Sequence, residues 1–397
     1  MPKRTTRREF LQAAGTGALG LALAGRSAAV GAERPRELPF YVGTYTDGKS
    51  KSEGIYLYSL QLSSGELRKV GTTAGVVNPS YLALDRGRRY LYAVNEVDEF
   101  RGQKSGAVNA FAVDRKTGAL RFINQQPSLG GSPCYVTVSH DGHFVLVANY
   151  VGGNVAVLPA RGDGTLGEAV DLQQHRGASG VNPERQEAPH AHCIVLDESN
   201  RHAYSCDLGA DKVLIYRFDA RSGKLAPAPT PFAQVKPGAG PRHFTFDPRS
   251  RHAYVISELS ATVTVFAYDA ATGALREVES VPTLPTDFKG ENTSADIHVS
   301  PDGRFLYCSN RGHDHVAAFS IDGRTGRLSF VADEPTRGRT PRNFAIDPTG
   351  EFLLVANQES DTITTFRRDA RTGRLAFTGH SADVPAPVCL KFVAPFA

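Results

Sequence analysis

Side chains able to move a proton and hold an anion fall in short, well-separated motifs. Pro189-His190-Ala191-His192, Pro241-Arg242-His243, Ser257-Glu258-Leu259, Ala295-Asp296-Ile297-His298 and Ser309-Asn310-Arg311-Gly312 carry imidazole, carboxylate and guanidinium, and Arg342 follows Thr340-Pro341. An imidazole or carboxylate can take a proton from a reacting water, and a guanidinium can hold an anionic substituent or an oxyanion. Motifs for rival chemistries fail. There is no GxSxG elbow and no HExxH pair. Gly43-Thr44-Tyr45-Thr46-Asp47-Gly48-Lys49-Ser50 matches a phosphate loop, but that mechanism needs a helix N-terminus next, and Gly54 to Leu60 reads as a strand. Cys134, Cys193, Cys206, Cys308 and Cys389 lie in or beside apolar runs, with neither zinc nor disulfide spacing, and read as buried thiols. Cys193 and Cys206 are the one pair that a hairpin places on neighbouring strands.

The scaffold that brings such distant motifs together is a repeat. Ser, Thr or Asp followed by Gly, any residue and Leu recurs at Gly65, Gly118, Gly164, Gly223, Gly273, Gly326 and Gly373, at intervals of 53, 46, 59, 50, 53 and 47 residues. Stretches such as Ala107 to Val113, Val213 to Phe218 and Thr262 to Tyr268 precede the glycine and read as strands, so the glycine marks a hairpin turn. Each unit opens on an anchor: Asn78-Pro79, Ser132-Pro133, Ala188-Pro189, Gly240-Pro241, Ser294-Ala295, Thr340-Pro341 and Ala386-Pro387. A second strand ends at Asn95, Asn149, Asp207, Ser257, Asn310 or Asn357. The reading is an all-β chain: a seven-bladed β-propeller of four-stranded antiparallel blades. Val388 to Val393 would join Phe40 to Tyr45, Gly54 to Leu60 and Glu66 to Thr72, so that the C-terminal strand closes the ring. A WD40 array is excluded by the absence of Trp.

Antiparallel order puts the start of the first strand and the end of the second on one face. Aligned by anchors, the third residue after the anchor's first position is Tyr81, Tyr135, Ala191, His243, Ile297, Asn343 and Cys389. The next column is Leu82, Val136, His192, Phe244, His298, Phe344 and Leu390, mostly apolar, so His192 and His298 depart from it. The residue after each second strand varies: Glu96, Tyr150, Leu208, Glu258, Arg311 and Gln358. A constant framework with variable tips is how a repeat carries a site. His190, Arg242, Asp296 and Arg342 stand beside the anchors, and the expected result is a channel mouth rich in His, Arg and carboxylate.

From about Phe40 onward the His190, Arg242, Glu258, Asp296 and Arg311 motifs resemble those of the 6-phosphogluconolactonase-type lactonase family, which also includes fungal carboxymuconate-lactonizing cycloisomerases. The resemblance implies a hydrolase that opens a sugar lactone, with a catalytic set falling on His192, Glu258, Arg242 and Arg311. His190, His243, Asp296, His298 and Arg342 would contact substrate, Glu258 or His192 would be the base, and no metal or organic cofactor is required. A cycloisomerase and a non-catalytic exported ligand-binding propeller remain the rival readings.

Residues 1–32 read separately. Arg7-Arg8-Glu9-Phe10-Leu11 precedes a short Gly/Ala-rich run and Ala28-Ala29-Val30-Gly31-Ala32, the pattern of a twin-arginine export signal cleaved near Ala32. The run is too short and glycine-rich for a membrane span, so no stable insertion is expected after cleavage. The translocation machinery becomes a partner, and the processed protein, a propeller over residues 40–397, becomes periplasmic or extracellular. The familiar members of the resembled family are cytoplasmic, so this signal is a departure. Lys3, Arg4, Arg7, Arg8 and Arg26 against Glu9 account for the whole formal charge of +4. The remainder is near neutral, which removes nucleic acid as an expected partner.

Overall fold

The computed structural model describes residues 35–393 apart from Lys49. The export signal proposed for residues 1–32 lies outside the described residues. Seven four-stranded antiparallel sheets follow one another along the chain. The first blade is composite: Pro387–Phe392, Glu37–Thr44, Gly54–Gln61 and Leu67–Ala74 lie in that order, with Phe40 opposite Phe392 and Val42 opposite Leu390. Blades two to seven open with Leu82–Leu84, Pro133–Val138, Ala191–Leu196, Pro241–Phe246, Thr293–Val299 and Pro341–Ile346. Among the described residues no helix is long and apolar enough to cross a membrane.

Second strands are buried on both faces because each blade is covered by its two neighbours. Phe144–Asn149, His202–Asp207, His252–Ser257 and Phe352–Asn357 are buried throughout, whereas fourth strands such as Leu67–Ala74 and Leu275–Pro282 are partly exposed. Among the described residues six apolar clusters follow from this, five of them each between two adjacent blades, from blades three and four round to blades seven and one.

The repeated glycine is explained by geometry at two levels. All seven turn glycines have positive φ, from 71° at Gly118 to 87° at Gly65, where a side chain is strained. The turn also presses on the preceding blade: a Cβ on Gly223 would lie 2.4 Å from the Phe144 ring, and one on Gly326 would lie 2.5 Å from His252. Five of these glycines accept a hydrogen bond from a buried tyrosine of that blade: Tyr41 to Gly118 (2.7 Å), Tyr92 to Gly164 (3.4 Å), Tyr204 to Gly273 (2.9 Å), Tyr254 to Gly326 (3.1 Å) and Tyr307 to Gly373 (2.8 Å). One local sequence feature therefore makes the hairpin and latches blade to blade.

The anchors bend the first strand. Asn78, Ser132, Gly240, Thr340 and Ala386, each before a proline, have φ between 41° and 65°. Just beyond them the register slips by a residue: Pro133 faces Asn149 but Tyr135 faces Ala148, and Pro241 faces Ser257 but His243 faces Ile256. The same slip occurs at Pro341/Asn343 and around Val388. The bulged residues are therefore Cys134, Arg242, Arg342 and Val388, freed from the ladder and turned toward the channel.

Blade four corrects the sequence alignment. Ala191, not Pro189, takes the place opposite Asp207, and Cys193 faces Cys206. The backbone N–H of Leu208 donates to His190, just as Glu258 donates to Gly240 and Gln358 to Thr340. The true anchor is His190-Ala191, two residues later than the one aligned by Pro189, which belongs to the longer connection before this blade. His192 is thus the bulged residue of blade four, beside Cys134, Arg242 and Arg342, and Ile194 fills the apolar column.

Candidate functional site

Two rings of side chains meet at one mouth of the channel. The bulge ring supplies Cys134, His192, Arg242, Arg342 and Val388, and Ser80 beyond the blade-two anchor joins them. The ring after the second strands supplies Tyr45, Glu96, Tyr150, Glu258 and Arg311. A cavity of about 300 Å³ opens between them, and a narrow extension descends past Tyr81 and His243.

Glu258 sits at the centre of a guanidinium cluster. Arg242 Nε donates to its Oε2 at 2.8 Å, Arg311 Nη2 lies 3.0 Å from the same oxygen, and Arg185 Nη2 donates to Oε1 at 2.7 Å. Burial opposes ionisation of Glu258, but Arg311, Arg242 and Arg185 outweigh it and hold the carboxyl far below the usual carboxylate range. Arg242 is itself fixed by the Ala295 carbonyl at 2.6 Å and by His243 Nε2 at 3.2 Å, and Arg311 by the Thr293 and Ser294 carbonyls.

His192 Nε2 stands 4.0 Å from Glu258 Oε2, with Nδ1 3.8 Å from Cys134 Sγ. Burial, then Arg242, His243 and Arg342, pushes its pKa well below the ordinary imidazole value, so the ring is neutral near pH 7. On the opposite wall Glu96 accepts from Tyr45 Oη at 3.0 Å to both oxygens, and from Ser80 Oγ. Arg342 Nη2 donates to Tyr45 Oη at 2.9 Å. Four arginines against two carboxylates leave the mouth electropositive, fitted to an anionic or electron-rich ligand.

The structure brings His192, Arg242, Glu258, Arg311 and Arg342 together around this cavity, with His243 in its floor. The other candidates do not line it. His190 stacks on Tyr150 with centroids 4.5 Å apart and bonds Glu187 at 2.9 Å. Asp296 lies deeper, joining blades five, six and seven through His243 Nδ1 (2.7 Å), His298 Nε2 (2.9 Å) and Asn343. His298 is paired with Asp296 away from the cavity, one third exposed.

Sequence reasoning missed Arg185, Tyr45 and Ser80, and named Glu96 only as a variable tip. Arg185 belongs to the connection between Asp171–Gln174 and Ala191–Leu196, inside the 59-residue interval that is the longest of the six. Buried Gln186 pins that connection to the Leu208 carbonyl and to Asp211, which aims Arg185 at Glu258. The five cysteines are all buried free thiols, Cys193 and Cys206 included. The one cluster of three metal-type ligands among the described residues, His313, His315 and Asp333, takes no part in the cavity.

With this geometry in place, comparison with known proteins decides the family. Residues 39–392 match the family described as "Lactonase, 7-bladed beta-propeller". The chain belongs to the seven-bladed β-propeller lactonase family. Within the lactonases it is 40% identical over 353 residues to a 6-phosphogluconolactonase of Bacillus subtilis, covering 89% of this chain and 97% of that protein. A 6-phosphogluconolactonase of Formosa agariphila is 35% identical over 309 residues, 77% of this chain and 85% of the other. The solved structure of a periplasmic gluconolactonase of Pseudomonas aeruginosa superposes with a TM-score of 0.85 at 38% identity, covering 90% of this lactonase and 99% of that chain.

Proposed function

We propose that this lactonase hydrolyses a sugar lactone at the channel mouth. The observation that carries the reading is the Glu258-centred cluster of Arg185, Arg242 and Arg311 around a 300 Å³ cavity, in a chain 40% identical to a 6-phosphogluconolactonase. Opening a lactone adds water to the carbonyl carbon, and negative charge develops on the carbonyl oxygen in the transition state. Guanidinium groups already fixed by Glu258 and by backbone carbonyls stabilise that charge without reorganising when it appears. Arg242 and Arg311 take this role, and Arg185, the most exposed of the three, meets the substrate's polar substituents.

Glu258 then acts as the organiser of the arginines. A carboxylate with guanidinium groups on both oxygens has little affinity left for a water proton, and its depressed pKa weakens it further as a base. His192, kept neutral, donates or accepts a hydrogen bond beside the reacting carbonyl. These assignments replace Glu258 as the expected base.

The twin-arginine pattern at Arg7-Arg8 and the likeness to a periplasmic gluconolactonase support export and an unphosphorylated sugar lactone as substrate. A panel of glucono-1,5-lactone, its 6-phosphate and cis,cis-muconates, with spontaneous ring opening subtracted, tests the reading. Faster turnover of the unphosphorylated lactone supports it. Preference for the phosphate ester reassigns the substrate, and activity confined to muconates favours a cycloisomerase.

A further inference from the structure

The reading above leaves the attacking water without a base. We propose that Glu96, held by Tyr45 and Ser80 on the wall facing Glu258, is the general base of lactone hydrolysis and returns the proton to the leaving ring oxygen. The inference rests on the lactonase reading and adds a second, acid–base pole to the site.

Both carboxylates line the same cavity, yet their environments are opposite. Glu258 receives guanidinium groups on both oxygens, whereas the hydrogen bonds found on Glu96 come from neutral hydroxyls, Tyr45 Oη and Ser80 Oγ. A carboxylate solvated by hydroxyls keeps a lone pair for water, and the Tyr45 contact to both oxygens fixes the plane of the group. The nearest cation on its side, Arg342, is turned to Tyr45 at 2.9 Å. The two poles therefore divide the labour: cations around Glu258 to hold developing negative charge, and a hydroxyl-bound carboxylate to handle protons.

The other titratable groups in the cavity do not compete. Burial pushes the Tyr45, Tyr81 and Tyr150 hydroxyls and the Cys134 thiol up, so all four stay protonated near neutral pH, and it pushes His243 down to about 4. Burial together with Arg242, His243 and Arg342 drives His192 down. Glu96 moves the useful way: burial raises it above the ordinary 4.5, and Arg342 and the hydrogen bonds from Ser80 and Tyr45 offset only part of the rise. A base titrating closer to neutrality is the better matched to its task.

The step balances. Glu96 takes one proton from water as the hydroxyl oxygen bonds to the carbonyl carbon, and the carbonyl π pair moves to oxygen against Arg242 and Arg311. The intermediate collapses by breaking the bond from carbon to ring oxygen, and the proton on Glu96 passes to that oxygen. One lactone and one water give one hydroxy acid, which then ionises in solvent.

The test compares Glu96→Gln, Glu96→Asp and Glu258→Gln in the full chain, on whichever sugar lactone the parent opens, across pH 4 to 9. Glu96→Gln keeps an acceptor for Ser80 and Tyr45 but cannot take a proton. It should lower kcat by roughly 10² to 10⁴ with KM changed less than about threefold, and abolish the acid limb of the kcat profile. Glu96→Asp should restore part of kcat together with the limb. Glu258→Gln should keep the limb and raise KM. Retention of parental kcat, or of the acid limb, in Glu96→Gln overturns the inference while leaving the lactonase reading intact. A parent that opens no lactone overturns both.

Discussion

Replacing Glu258 by Gln removes one negative charge from a site where Arg185, Arg242 and Arg311 lie within 3.0 Å of it, Arg242 buried and Arg311 nearly so. Shape is retained, so the loss is electrostatic: three guanidinium groups now repel one another in a desolvated pocket. Breaking one partner of a buried ion pair costs about 3–5 kcal/mol, and Arg185, being partly solvated, can move out to relieve some of it. We expect about 3 kcal/mol of destabilisation at pH 7. The sign of the pH dependence is fixed by the depressed carboxyl. A folded-state pKa below the unfolded value means that the stabilisation is complete above about pH 4.5 and is lost as pH falls toward the folded pKa. The deficit of the variant should therefore shrink by about 1.4 kcal/mol at pH 3.5, one unit below the ordinary value of 4.5. Urea denaturation of parent and variant at pH 7 and pH 3.5 measures both numbers. A variant as stable as the parent at pH 7, or a deficit that grows on acidification, would refute the reasoning.

Other expectations follow from the same geometry. His192→Ala should lower kcat by roughly 10² to 10³ through loss of one preorganised hydrogen-bonding group, with an unchanged melting temperature showing that the loss is local. Gly326→Ala, at φ 73° with a Cβ 2.5 Å from His252, should cost more than about 1 kcal/mol in urea denaturation, whereas alanine at exposed Gly379, where nothing lies within 4 Å, bears only the φ penalty. Tyr254→Phe should cost about 1 kcal/mol for the latch to Gly326, and an unchanged midpoint would deny that latch any weight. Replacing Arg7 and Arg8 by Lys should leave unprocessed precursor in the cytoplasm, a result that fractionation reads directly and that normal processing would contradict.

The propeller was legible because its turns impose a chemical constraint. A left-handed residue pressed against an aromatic ring admits little besides glycine, so Gly65 to Gly373 mark the blades one by one, 46 to 59 residues apart. Ring closure was legible for the same reason: only two strands precede the first glycine where three precede each of the others, and the last anchor leaves one strand over. The register of blade four was not, because Pro189 mimics an anchor while the strand begins two residues later, and only pairing of Ala191 with Asp207 reveals it. Arg242, Glu258 and Arg311 could be picked out as charged residues at strand ends. Arg185 could not, since its connection has no counterpart in the other units, and Glu96 was hidden among tips whose chemistry differs from blade to blade. What distinguishes Glu96 from Glu258 is the identity of the groups around each carboxylate, and those come from strands far apart in the sequence.

The most direct test of the account is turnover of glucono-1,5-lactone and its 6-phosphate by the parent and by Arg242→Ala, each corrected for spontaneous opening. The account predicts that the parent opens one of these lactones well above the spontaneous rate and that Arg242→Ala, losing a guanidinium held by Glu258 and the Ala295 carbonyl, falls by roughly 10² or more in kcat/KM. No turnover by the folded parent, or an Arg242→Ala variant with parental kcat/KM, would contradict it.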